Sequence, residues 1–284
     1  MELTVHGTAT DFLAAVRPTL GQHEAEHHLV LGVAEGVLSG RANSDRLFAA
    51  SVHDAGEVVL VAFMVRDRPL LIASDREDVA AASALVCEGL AAAGHVPVHV
   101  IGAVRQAESF ADMWARRTGR TPRVAMRQRV YQLTHVESLP VVPGFLRAAT
   151  VADVDLVAAW TATFEGEALA GVVPRSSKGS AERRVAAGEV YLWCDPDPRA
   201  MASWARPTKR AVAVNGVYTP HEWRQRGYAT ACVAELSRLL LGRGFEFCVL
   251  YTDQANPTSN SIYTKIGYRP VRDFLMYDLA SGSE

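Results

Sequence analysis

The chain has 284 residues, of which 49% are apolar and 21% charged, a globular composition too apolar for a disordered chain. Its 29 basic and 31 acidic side chains leave a formal charge of −2, without the basic excess that gripping many nucleic-acid phosphates brings. The longest apolar run, Val58 to Val65, is far short of the roughly 20 residues that span a bilayer, so neither nucleic acid nor membrane is an expected partner.

At roughly 100–200 residues per domain, the length suggests two domains. In the first half a short strand, Leu3–Thr8, precedes helical stretches at Thr10–Val16 and His27–Leu38. Strand signals follow at Arg46–Val52, Val58–Val65 and Pro69–Ala73. Val79–Ala93 has helical apolar spacing and stops at Gly94; then come a strand at Val96–Ile101, a helix at Glu108–Arg117 and a strand at Val124–Leu133.

The second half repeats the order. Phe145–Ala149 reads as a strand and Val151–Phe164 as a helix, and the polar stretch Pro174–Glu182 leads into a shorter helix. Val190–Cys194, Met201–Ala205 and Ala211–Tyr218 are strands, and Tyr228–Leu241 is an amphipathic helix closed by Gly242. Phe247–Tyr251 is a strand, Pro257–Ile266 a helix closed by Gly267, and Val271–Asp278 the last strand. Residues 136–144 carry Pro140 and Pro143 and read as a linker between domains 1–135 and 145–284. Strands alternating with helices predict an α/β fold of the α+β kind, a mixed sheet in each half, built by one internal duplication.

The four cysteines (Cys87, Cys194, Cys232, Cys248) are scattered and read as small buried side chains in a reducing compartment. The start, MELTVHGTAT, has no basic segment followed by an apolar one, so no signal peptide is expected and the chain is placed in the cytoplasm.

The most informative stretch runs from Val217 to Ala231, where a strand ends near Thr219 and a helix begins near Gly227. A helix start offers free N–H groups and the positive end of its dipole. Gly227 and Ala229 leave the approach open, and Arg224 and Arg226 add charge around the same point. Such a nest suits a pyrophosphate. It is neither a P-loop nor a dinucleotide fingerprint, since GK[ST] and GxGxxG are both missing.

Arg224-x-x-Gly227-x-Ala229 resembles the [RQ]xxGx[GA] motif of the GNAT superfamily of acyl-CoA-dependent N-acyltransferases. Downstream, Asn256, Tyr263, Gly267 and Tyr268 stand where that superfamily has its second signature. The resemblance is tight over about 70 residues and follows the element order of the whole second half. It implies two tandem GNAT-like domains, each a mostly antiparallel sheet flanked by helices.

It also implies acetyl-CoA as cosubstrate and no metal. The backbone of Val217, Tyr218 and Thr219 would receive the pantetheine arm. Arg224, Gln225, Arg226, Gly227, Tyr228, Ala229 and Thr230 would wrap the pyrophosphate. Asn256 would touch the CoA arm or hold its loop, with Ser259 and Asn260 beside it. Tyr263 corresponds to the tyrosine that protonates the departing thiolate, or else only packs against the cofactor; a phenol of pKa about 10 can donate at neutral pH. Glu165 and Glu167, in a loop after the first helix of this half together with Arg175 and Lys178, are candidate substrate contacts. A water chain could replace a side-chain base. His221 and Glu222 read as loop surface.

The equivalent first-half loop, Ser74–Val79, carries three carboxylates where a pyrophosphate needs donors, and Trp114 and Ala115 stand near the place of Tyr263. That half reads as a GNAT-like domain without cofactor chemistry that walls one side of the substrate cleft. His23-Glu-Ala-Glu-His27 fits HExxH, but with no third ligand in sight it reads as polar helix surface. The expected activity is N-acetyl transfer to a primary amine, small molecule or peptide. The alternative is an acyl-CoA-binding sensor or scaffold without chemistry. The oligomeric state stays open.

Overall fold

The structure, a computed structural model, describes residues 1–41, 46–65, 68–168 and 177–280. The first half contributes β1 (Glu2–His6), α1 (Ala9–Leu20), α2 (Glu24–Leu38), β2 (Phe48–Asp54), β3 (Glu57–Met64), β4 (Leu70–Ala73), α3 (Ala80–Ala92), β5 (His99–Ala103), α4 (Val104–Thr118) and β6 (Arg123–Leu133). The second contributes β7 (Phe145–Ala148), α5 (Val154–Ala168), α6 (Lys178–Ala186), β8 (Val190–Cys194), β9 (Pro198–Ala205), β10 (Ala211–Tyr218), α7 (Tyr228–Gly242), β11 (Phe247–Asp253), α8 (Pro257–Ile266) and β12 (Arg269–Asp278). Each expected element has a counterpart, with ends moved by a few residues. One stop signal was misplaced: Gly242 lies inside α7, and the left-handed residue that ends it is Gly244, at φ +100°.

Among the described residues, the twelve strands join one sheet, in the order β1-β2-β3-β4-β5-β12-β6-β11-β10-β9-β8-β7. The pairs are antiparallel except β4 with β5 and β10 with β11. The centre of this order shows an exchange between the halves. The last strand of the chain, β12, lies between β5 and β6 of the first half, from Arg269 opposite Gln132 to Asp278 opposite Arg123. In turn β6 pairs with β11, Cys248 opposite Leu133.

The core follows the exchange. Tyr131 and Leu133 of β6 are buried among Val212, Cys248, Tyr263 and Tyr268 of the second half. Phe274 and Met276 of β12 are buried with Phe12, Phe63 and Ile101 of the first. Each such side chain contributes about 1.5–3 kcal/mol on burial, so each half completes the core of the other. Residues 136–144 run between β6 and β7.

Helix α2 ties the halves a second time. Glu24, buried near its start, accepts a hydrogen bond from the Thr208 hydroxyl and lies 4.0 Å from Arg210. Glu26 pairs with Arg272. At Gly32 a Cβ would stand 2.9 Å from the carbonyl oxygen of Arg206, so only glycine lets the two segments approach this closely. The stretch 23–28 is therefore not a polar helix surface. Glu24, His27 and His28 are all buried, because the second half and the β4–α3 loop cover that side. No described helix is long and apolar enough to cross a membrane.

Candidate functional site

Strands β10 and β11 pair only from Ala211–Ala213 against Phe247–Val249. Beyond that point β10 bulges from β9 around Gly216, and β11 stays with β6, so the two strands part. This leaves Val217–Thr219 with an unpaired edge, the kind that accepts an extended ligand as an added strand. A cavity of about 840 Å³ opens at this gap. That is within the usual range for small-molecule sites, roughly 300–1,000 Å³.

Val217, Tyr218 and Thr219 form one wall. Thr219 Oγ1 is buried and has no hydrogen-bond partner within the protein, an orphaned polar atom on that wall. The chain then makes a single turn at His221–Trp223 and enters α7 through Gly227. Gln225 and Gly227 both have left-handed backbone, φ +62° and +83°. A Cβ on Gly227 would lie 3.0 Å from Val142 Cγ2, so glycine is required by backbone and by space.

No side chain caps α7. The N–H groups of Tyr228, Ala229 and Thr230 therefore lack intrahelical acceptors, and the positive end of the helix dipole faces the cavity these residues line. The Tyr228 ring lines it too, but its hydroxyl donates to Asp195 Oδ2 at 2.5 Å, and that carboxylate raises its pKa.

Arg224 lines the cavity. Its Nε donates to the Thr219 carbonyl at 3.0 Å and its Nη2 to Glu167 Oε2 at 2.6 Å. The Arg226 guanidinium, by contrast, lies 4.8 Å from the Trp223 ring, which Arg199 also covers at 3.8 Å. His221 and Glu222 are exposed, as expected.

The far wall is α8. Asn256 Oδ1 accepts from the Ser259 N–H at 3.0 Å and caps this helix, and both residues line the cavity. Asn260 does not: its amide nitrogen bonds the carbonyls of Asp253 and Asn256, and its oxygen accepts from the Tyr131 hydroxyl on β6. Tyr263 is buried and lines the cavity. Its ring meets Tyr268 edge-on at 6.0 Å. Burial pushes its pKa up to about 12, and among the described residues nothing pairs with its hydroxyl. Phe164, Trp223, Thr258, Ser261, Ile262 and Lys265 also line the cavity and were missed. Four of them sit at helical spacing on α8, a face that the positions of Asn256 and Tyr263 could have revealed.

The two acidic candidates correct an expectation. Glu165 and Glu167 are not in a loop but in the last turns of α5. Glu167 lines the cavity, bound to Arg224, whereas Glu165 does not and its charge acts on Arg184. Lys178 pairs with Asp155 at 2.7 Å, and Arg175 lies outside the described residues.

A family model, FR47-like protein, matches residues 193–275, the stretch from β8 to β12 that builds this cavity. Over nearly the whole chain the fold is similar to a GCN5-related N-acetyltransferase from Sphaerobacter thermophilus: TM-score 0.64, 17% identity, 99% of this chain and 97% of that one. It is also similar to a tandem GNAT protein from the clavulanic acid biosynthesis pathway, at TM-score 0.53 and 13% identity over 99% of both chains. The chain is a tandem GNAT-fold protein. A GNAT-family acetyltransferase from Colwellia psychrerythraea shares the architecture at TM-score 0.57 and 11% identity, covering 98% and 99% of the two chains. No curated protein matches the sequence of this tandem GNAT-fold protein. Similarity at these identities speaks for the architecture alone.

Proposed function

We propose that the tandem GNAT-fold protein is a cytoplasmic N-acyltransferase that moves an acetyl group from acetyl-CoA to a primary amine, with its working site in the second-half cavity. The observation that carries this reading is the meeting, in one cavity, of an uncapped helix start, a glycine turn, a splayed strand edge and the Tyr263 hydroxyl. The donor set fits acyl-CoA: three helix N–H groups for phosphate oxygens, and backbone plus the orphaned Thr219 Oγ1 for an amide-bearing arm. Arg224 adds charge once it turns from Glu167, an exposed pair of the kind that contributes about 0–1 kcal/mol and breaks easily.

When bound, acetyl-CoA supplies a thioester already activated for attack. The chain supplies placement and a donor. Burial keeps the Tyr263 phenol protonated at neutral pH, so it presents an O–H to the negative charge that develops on sulfur. Glu167, released by Arg224, is the cavity carboxylate that receives the proton of the attacking amine. In the first half Trp114, near the place expected for a tyrosine, is buried against Phe110 and the matching loop is acidic, which supports a single working site.

Tyr263→Phe keeps the ring and removes only the donor. Steady-state kinetics with the best amine from a screen should show kcat lowered by about 100-fold, with CoA affinity measured by calorimetry unchanged within twofold. Unchanged turnover would remove Tyr263 from the chemistry. CoA binding with no turnover of any amine by the wild type would make the protein a sensor instead.

A further inference from the structure

The first half carries a cluster that the transfer reaction does not use. His23 and His27 stand one turn apart at the start of α2, and both rings converge on one atom of the β4–α3 loop. His23 Nδ1 lies 3.0 Å and His27 Nε2 2.8 Å from Asp75 Oδ1. The three donor atoms lie within 4.8 Å of one another. His27 is 4% exposed, whereas His23 and Asp75 reach solvent at 57% and 30%.

The carboxylate is held in place from both sides. Ser74, buried, donates to the Val59 carbonyl and accepts from the Arg76 N–H at 2.9 Å. The buried Gln106 amide grips the Arg76 carbonyl at 2.6 Å. Asp75 is thus presented from a braced turn, and the two imidazoles come from a helix whose next residues are packed against the second half. Two imidazole nitrogens and one carboxylate oxygen are the donor set that a borderline divalent ion selects, with water completing a tetrahedron. Ligand atoms of such a site stand about 3.3 Å apart, so loading the ion draws the two imidazoles together and moves the carboxylate aside by side-chain rotation.

We propose that His23, His27 and Asp75 form a zinc-class divalent metal site that clamps the start of α2 to the β4–α3 loop. The fourth position faces solvent, where His23 is most exposed. The site is not hydrolytic, although its two histidines belong to an HExxH sequence. The glutamate of that sequence, Glu24, is buried and engaged by Thr208 and Arg210, so it is not free to activate the metal-bound water. The four cysteines are buried and do not compete for the ion.

The test is a calorimetric titration of the full chain, free of any polyhistidine tag, with zinc chloride, backed by competition against a chromogenic chelator. The wild type should bind one zinc per chain and melt at a higher temperature with it. His23→Ala and Asp75→Asn change exposed or half-exposed groups and should leave the circular dichroism spectrum intact. Each should weaken zinc binding by about tenfold or more and abolish the thermal shift. A wild type that binds no zinc, or variants that bind it as well as the wild type, would overturn the site.

Discussion

Gly227→Glu should weaken CoA binding about 100-fold while the protein stays folded. Gly227 has φ +83°, and an L side chain there costs about 1–2 kcal/mol. The new Cβ meets Val142 at 3.0 Å. The larger effect is electrostatic, because the added carboxylate can reach the uncapped N–H groups of α7 that a pyrophosphate would use, and repels phosphate from the start of that helix. Calorimetry should show CoA affinity reduced by about 100-fold, a loss of about 2.7 kcal/mol. Gly227→Ala, which carries strain without charge, should fall between this variant and the wild type. Affinity within fivefold of the wild type in Gly227→Glu would mean that the phosphates do not bind at this helix.

The second large effect concerns the exchanged strands. A fragment of residues 145–284 contains every proposed site residue yet should not fold. It lacks β6, which separates β11 from β12 and buries Tyr131 and Leu133 in the second-half core. Two such side chains are worth about 3–6 kcal/mol together, before the lost strand pairing, against a typical domain stability of about 5–15 kcal/mol. Circular dichroism should find no cooperative melt in the fragment, and co-expression with residues 1–135 should restore one. A cooperative melt and CoA binding by 145–284 alone would show that the exchange is dispensable.

Much of this was legible in the chain. Alternating and helical spacings gave the element order, and the helices closed by Gly94 and Gly267 end where the sequence says. The stretch Val217–Ala231 led to the cavity, because a strand, a glycine turn and a helix start are local features. What escaped is non-local. A period of two marks the faces of β6 and β12 but not their neighbours, so the exchange was invisible. The pairs Arg224–Glu167, Tyr228–Asp195 and Arg199–Trp223 join segments far apart in the chain. The burial of the HExxH stretch escaped for the same reason: its partner Asp75 and its cover both come from elsewhere in the fold.

The most direct test of the account is a melting curve of the intact protein with excess acetyl-CoA, with free CoA and NAD as comparisons. Ligand at 100 times its dissociation constant adds about 2.7 kcal/mol, which for a chain of this size raises the melting temperature by about 5–10 °C. That rise should appear with acetyl-CoA and with CoA, and not with NAD. No shift with either CoA species, or an equal shift with NAD, would contradict it.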